Sequence, residues 1–239
     1  MSFLSFDNRI IKESEKALDE ASEFFAYYDK IGDYNQQKVL SAFIDNKVTE
    51  ADFGESTGYG YSDRGRDKLD KIFADVFGAQ DAIVRHNFTC GTHTLSVALF
   101  GVLRPGDTML CVTGTPYDTI HNVIGISGNG MGSLKDFGIK YKQTDLDENG
   151  EPDWSLIEQE LKSNPKMVYI QRSKGYSARP SLSVEKIKDI SDFVHKRCDA
   201  IIMVDNCYGE FVEMLEPTQV GADLMAGSLI KNPGGGLAR

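Results

Sequence analysis

Lys231 closes the short run Ser228-Leu-Ile-Lys231 and is followed by Asn232-Pro-Gly-Gly-Gly236. A lysine set between an isoleucine and a loose turn suits a partly desolvated pocket. There an amine loses its proton more readily and becomes nucleophilic. The plain alternative is an exposed lysine at a strand end. Asp205 follows Ala200-Ile-Ile-Met-Val204, and a carboxylate in such apolar surroundings is costly unless a cation or donors meet it. A helix N-cap is its alternative. Asn87-Phe-Thr-Cys-Gly-Thr-His93 opens an apolar helix. There the N–H groups of Cys90, Gly91 and Thr92 can face an anion, assisted by the helix dipole; capping by Thr89 or Thr92 is the duller reading. Tyr117, in Thr113-Gly-Thr-Pro-Tyr-Asp118, stands at a strand-to-helix junction, either flat on a planar ring or packed in the core.

Positioning these residues requires a scaffold, and the chain supplies a regular one. Short apolar runs at 81–86, 108–112, 139–142, 167–170, 200–204 and 223–226 read as strands. Between them, residues 91–103, 118–126, 154–163 and 184–197 read as helices by their spacing of apolar positions. Such alternation predicts βαβ units and an α/β fold with a mostly parallel sheet, helices on both faces. Ahead of it, residues 8–30 and 36–48 read as two helices, and 63–78 as a third with Ser62 or Asp63 as N-cap and Gly78 past its end. The first helix carries a broad apolar stripe. It either packs on its own domain or forms an arm to a second subunit. The expected division is an N-terminal helical segment, 1–57, and a large domain, 58–239.

Ligands of open α/β sheets collect at the carboxyl ends of the strands. Lys231, Asp205, the Cys90–Thr92 turn and Tyr117 each fall at such an end. One ligand would use them all: pyridoxal phosphate needs a lysine for its imine and an acid for its ring nitrogen. It also needs an amide cradle for its phosphate and commonly an aromatic over the ring. Ser228 could add a hydrogen bond to the phosphate.

Composition narrows the rest. The 239 residues carry a formal charge of −10, which argues against nucleic acid and anionic membrane as partners. No apolar run reaches the roughly 20 residues that span a bilayer, and the N-terminus lacks a signal-peptide layout. Four cysteines without C-x-x-C spacing read as reduced thiols in a cytoplasmic protein. The four histidines show no metal-ligand spacing. Asp145–Asp153 reads as a solvated acidic loop, and Gly125-Ile-Ser-Gly-Asn-Gly-Met-Gly132 as a glycine-dense flap.

Four stretches carry a resemblance: Gly58-Tyr-Gly-Tyr-Ser-Asp-Arg-Gly-Arg66, Asn87-Phe-Thr-Cys-Gly-Thr-His-Thr94, Val204-Asp-Asn-Cys-Tyr-Gly-Glu-Phe211 and Gly227-Ser-Leu-Ile-Lys-Asn-Pro-Gly-Gly-Gly236. They resemble the methionine γ-lyase-like proteins of the aluminium-resistance family. These are fold-type I pyridoxal-phosphate enzymes related to cystathionine β- and γ-lyases. The resemblance implies Lys231 as the Schiff-base lysine and proton carrier, Asp205 as partner of the pyridinium, and Tyr117 as stacking aromatic and acid for the leaving group. It implies Cys90, Gly91, Thr92 and Ser228 as phosphate ligands. Tyr61 with Arg64 is similar to an element that reaches a neighbouring subunit's phosphate, although the spacing differs from Tyr-x-Arg and leaves Arg66 as a second candidate. The implied activity is carbon–sulfur elimination from a sulfur-containing amino acid, giving thiol, 2-oxo acid and ammonia. The implied assembly is a homodimer or homotetramer with sites at the interface. A γ-replacement synthase, an aminotransferase or a non-catalytic scaffold would share the motifs. Proteins of this kind continue into a smaller C-terminal domain bearing an arginine for the substrate carboxylate, so the expectation is a piece that lacks it.

Overall fold

Strand residues alternate between two faces, and that alternation builds two cores here. In the computed structural model, residues 5–55, 59, 61, 63–128 and 131–234 are described. Five parallel strands, β1 (Thr108–Cys111), β2 (Lys140–Gln143), β3 (Met167–Gln171), β4 (Ile201–Asp205) and β5 (Leu224–Ala226), lie in the order β2-β1-β3-β4-β5. Leu110, Val168, Ile170, Ile202 and Val204 face one side and pack on Ile157, Ile187, Ile190 and Val194 of helices α5 (Trp154–Leu161) and α6 (Val184–His195). Met109, Met167, Tyr169 and Met203 face the other. They meet Leu95, Leu99, Ile120 and Ile124 of α3 (Gly91–Val102) and α4 (Asp118–Ile124). The sheet is thus covered on both faces, which explains why the central strands β3 and β4 are almost wholly buried, whereas the edge strand β2, Lys-Tyr-Lys-Gln, alternates.

Local signals set the helix ends. Asp153 and Ser183 cap α5 and α6 by accepting backbone N–H groups of the first turn. Helix α2 (Arg64–Phe77) starts at Asp63, whose side chain accepts from Arg66 N–H, and ends at Gly78 in the left-handed conformation, φ 62°. Ser62, the other candidate cap, lies outside the described residues, as do Asn129 and Gly130 of the glycine-dense flap.

Two expectations are corrected. The two N-terminal helices are one, α1 (Asn8–Asp45). Gly32 does not break it, because Ile31 and Asn35 on either side are buried and Asn35 Nδ2 donates to the Phe211 and Glu213 carbonyls at 3.2 and 3.1 Å. The expected strand at 81–86 is not one. A strand requires a ladder partner, and no ladder reaches this segment among the described residues. Asp70 satisfies it instead: Oδ1 accepts Val84 N–H at 2.8 Å and the two oxygens bind Arg85 at 2.6 and 2.8 Å.

Helix α1 divides in two by environment. Its last third packs with α2 around Ala42, Ile72, Val76 and Phe77, whereas Ile10, Leu18, Phe24 and Phe25 are all at least half exposed.

Candidate functional site

Because all five strands run the same way, their carboxyl ends share one edge of the sheet. Asp205 is the last residue of β4, one residue further into the strand than its sequence suggests. It is 6% exposed. Oδ1 accepts Cys207 N–H at 3.0 Å and Oδ2 accepts the Tyr169 hydroxyl at 3.3 Å. Burial pushes its carboxyl above the usual range, opposed by the Cys207 N–H and by the charge of Lys231.

Lys231 follows β5 on a turn whose N–H returns to the Ser228 carbonyl at 3.1 Å. Its Nζ stands 4.3 Å from the centre of the Tyr208 ring, a cation over an aromatic face. Tyr208 adopts φ 68°, a conformation costly for an aromatic residue. Surrounding bonds impose it: Asn232 Nδ2 donates to the Tyr208 and Glu210 carbonyls, both at 2.9 Å. Glu210 Oε1 accepts Ser228 N–H at 2.8 Å. The turn that follows Asp205 and the turn that carries Lys231 are therefore stitched together.

The first turn of α3 closes the cluster. Cys90, its N-cap residue, makes no side-chain cap hydrogen bond, so the leading N–H groups have no side-chain acceptor of their own. A Cβ on Gly91 would come 3.2 Å from Cys207 Sγ and 3.6 Å from Ser228 Cβ. Only glycine lets the backbone approach the Cys207 and Ser228 turns this closely. Ser228 is buried and Thr92 half-buried, the Thr92 hydroxyl lying 3.1 Å from Thr119 Oγ1. Tyr117 heads α4, half-buried, with its N–H bound to Gln171 Oε1 at the end of β3.

Lys231, Asp205, Gly91 and Ser228 are thus brought together, with Tyr117 beside Tyr208. Cys90 and Thr92 flank Gly91. Tyr61 and Arg64 stand apart. Tyr61 is 86% exposed and Arg64 points to Asp52 at 3.4 Å; among the described residues neither bonds to the strand-end cluster. Arg66 is held by Asp63 at 3.5 Å.

Residues that sequence reasoning passed over also line the site. Cys207 lies between Asp205, Lys231 and Gly91; burial and the Asp205 charge push its thiol up to about 12. Its only sequence signal is a small side chain two positions past the aspartate. Tyr169 is an aromatic with a polar tip in an otherwise apolar strand, and its hydroxyl reaches Asp205. Arg172 carries no signal at all. Its buried guanidinium binds Asn206 Oδ1 and the Gly209 carbonyl at 2.8 and 2.7 Å and Glu213 at 2.6 Å, tying the loop after β3 to that after β4.

These residues suit a small anionic, aromatic ligand: uncapped amides for an anion, a buried carboxylate for a ring N–H, and an amine between them. Among the described residues no group of histidine, cysteine and acidic side chains could hold a metal ion, and no helix is long and apolar enough to cross a membrane.

The methionine γ-lyase family profile matches residues 10–239. The chain is 51% identical over 213 residues to the uncharacterized protein YnbB of Bacillus subtilis, covering 88% of this chain and 51% of that protein. It is 26% identical over 202 residues to the cystathionine γ-lyase of Mus musculus, covering 83% of this chain and 46% of the enzyme. Among solved structures, a carbon–sulfur lyase involved in aluminium resistance from Clostridium novyi NT superposes with a TM-score of 0.92 and 53% identity. That superposition covers 97% of this chain and 56% of the other. A pyridoxal-5'-phosphate-dependent protein, YhfS of Escherichia coli, shares the fold alone, with a TM-score of 0.58 at 18% identity over 82% of this chain and 50% of that protein. The chain spans about half the length of its first curated relatives, 51% and 41%.

Proposed function

The chain belongs to the methionine γ-lyase family, and from that premise we propose that it carries the pyridoxal-phosphate-binding part of a carbon–sulfur lyase acting on a sulfur-containing amino acid. The observation that carries this reading is the meeting of Lys231 with buried Asp205 at one strand edge, beside the uncapped start of α3. The fit is chemical as well as spatial. Gly91 and Thr92 N–H groups and the Ser228 hydroxyl would hold the phosphate. The cost of burying Asp205 as an anion would be offset by a ring N–H. Tyr117 would cover the ring. When bound, pyridoxal phosphate supplies an electron sink for charge that develops at the substrate Cα.

The chain's own residues do the rest. Lys231 Nζ would hold the cofactor's aldehyde carbon and, when free, would take the proton from the substrate Cα. Tyr208 keeps that amine over its ring between these tasks. The Cys207 thiol, pushed up to about 12, stays protonated and does not compete with Lys231 as a nucleophile. The Tyr117 phenol is likewise raised to about 12, first by Tyr176 beside it and then by burial, so it retains a proton to give to the departing sulfur. Thiol, 2-oxo acid and ammonia are the products. A homo-oligomer, in which exposed Tyr61 and Arg64 reach a second copy's phosphate, completes the proposal.

Titration of the chain with pyridoxal phosphate, borohydride reduction and peptide mapping test this directly. The pyridoxyl group is expected on Lys231, and Lys231→Ala should neither turn yellow nor retain the label. Equal labelling of the alanine variant overturns the assignment.

A further inference from the structure

Tyr176 is 90% exposed, yet the loop that presents it is built with unusual care. After β3 the chain turns through Ser173-Lys-Gly-Tyr-Ser177. Arg179, buried, donates from Nη2 to the Gln171 and Ser173 carbonyls at 2.8 and 2.6 Å and from Nη1 to the Pro180 carbonyl at 2.9 Å. The turn is pinned within itself by Ser177, whose hydroxyl and N–H donate to the Lys174 carbonyl at 2.6 and 3.1 Å. A buried guanidinium spent on three carbonyls fixes a backbone path, and that path leads to one side chain.

Tyr117 is met by this loop at three levels. Gln171 Oε1 accepts its N–H while Gln171 Nε2 donates to the Ser173 carbonyl at 3.0 Å. Gly175, φ 57°, lies so close that a Cβ there would stand 3.0 Å from Tyr117 Cδ2. The Tyr176 ring then packs on the Tyr117 ring, centroids 5.6 Å apart and planes at 35°. We propose that Tyr176 is a positioning residue that holds Tyr117, setting its ring plane by aromatic contact. A tyrosine this exposed adds little to the core, so stability does not account for the arrangement. The reading deepens the proposed function, since it rests on Tyr117 as the aromatic that faces the cofactor.

Tyr176 beside it holds the Tyr117 phenol above its ordinary value, so the neutral form is favoured. The other groups facing Tyr117 are Asp118 and Tyr208, which raise it further, as does burial.

Tyrosine labelled with ¹³C at the ring Cζ, with the Tyr117 signal assigned through Tyr117→Phe, reads this without cofactor or activity. In Tyr176→Ala the Tyr117 signal is expected to shift at neutral pH, and Tyr176→Phe, which keeps the ring, to restore it. In Gly175→Ala the Tyr117 signal should shift at neutral pH while that of buried Tyr169 stays in place. Identical Tyr117 signals in wild type and Tyr176→Ala overturn the proposal. Adding pyridoxal phosphate to the wild type tests the functional reading separately. A Tyr117 signal indifferent to the cofactor sinks that reading, whereas one indifferent to Tyr176→Ala sinks the pairing.

Discussion

Asp205, Glu210 and Glu216 are buried within twelve positions of one another, and burial raises the carboxyl pKa of each. Each therefore binds its proton more readily in the folded chain than in the unfolded one. Stability rises with pH only where the unfolded state binds more protons; here the folded state does, so these three groups make stability fall as pH climbs from the ordinary carboxyl range through their folded values. Glu210 is the cleanest probe. It is 2% exposed, Oε1 accepts Ser228 N–H, and Oε2 is buried without a hydrogen-bond partner. Glu210→Gln keeps an acceptor for Ser228 and removes the titration. Chemical denaturation from about pH 5 to about pH 8 should show a shallower decline for the variant than for the wild type. Parallel slopes would mean that Glu210 does not titrate differently in the folded chain. Of the three, Asp205 is the one proposed to meet the ligand's ring N–H, so the instability that it causes at neutral pH is the kind that binding offsets.

Helix α3 separates function from stability within a single element. Leu99 is fully buried in the layer between α3 and the sheet, and Leu99→Ala is expected to cost about 2–5 kcal/mol, read as a lower denaturation midpoint. Gly91→Ala should behave oppositely. Alanine favours a helix over glycine by about 1 kcal/mol, but its Cβ would press on Cys207 Sγ at 3.2 Å and push the first turn off the Ser228 turn. Affinity for pyridoxal phosphate should fall by roughly tenfold, about 1.4 kcal/mol, while thermal stability holds or rises; equilibrium dialysis and melting separate the two. At this scale the sequence was most readable. Apolar periodicity and caps gave α2 to α6 and the five strands to within a few residues, because each is decided by its own side chains and its burial. The expected strand at 81–86 failed because a strand is decided by its partner, and Asp70 binds the segment instead. The break expected near Gly32 failed for the same reason, since Phe211 and Glu213, far along the chain, anchor Asn35. In the site, Lys231, Asp205 and Gly91 were readable because their types are costly or unusual at strand ends. Arg172, Tyr176 and Tyr208 were not, because their roles depend on loops that meet only in the folded chain.

Across the whole molecule the two ends of α1 obey different rules. Residues from Ile31 onward are tied to α2 and the loop after β4. Ile10, Leu18, Phe24, Phe25 and Tyr28 leave at least half of their surface in water, along a helix stretch of about 27 Å at 1.5 Å per residue. Isolated exposed apolar residues are ordinary, but an aligned row of this length is the mark of a covered surface. The proposed homo-oligomer supplies the cover. It also gives exposed Tyr61 and Arg64 a destination, since neither contacts its own strand-end cluster. The net charge of −10 disfavours close approach of two copies, so the apolar row has repulsion to overcome and its loss should be felt. Leu18→Glu combined with Phe24→Glu is expected to convert an oligomer into a smaller species in sedimentation velocity at micromolar concentration. The melting of each chain should change little in dilute solution, because neither side chain is buried within the chain. If wild type and double variant sediment alike, α1 is not the contact, and the Tyr61–Arg64 element must be sought in an interface built without it.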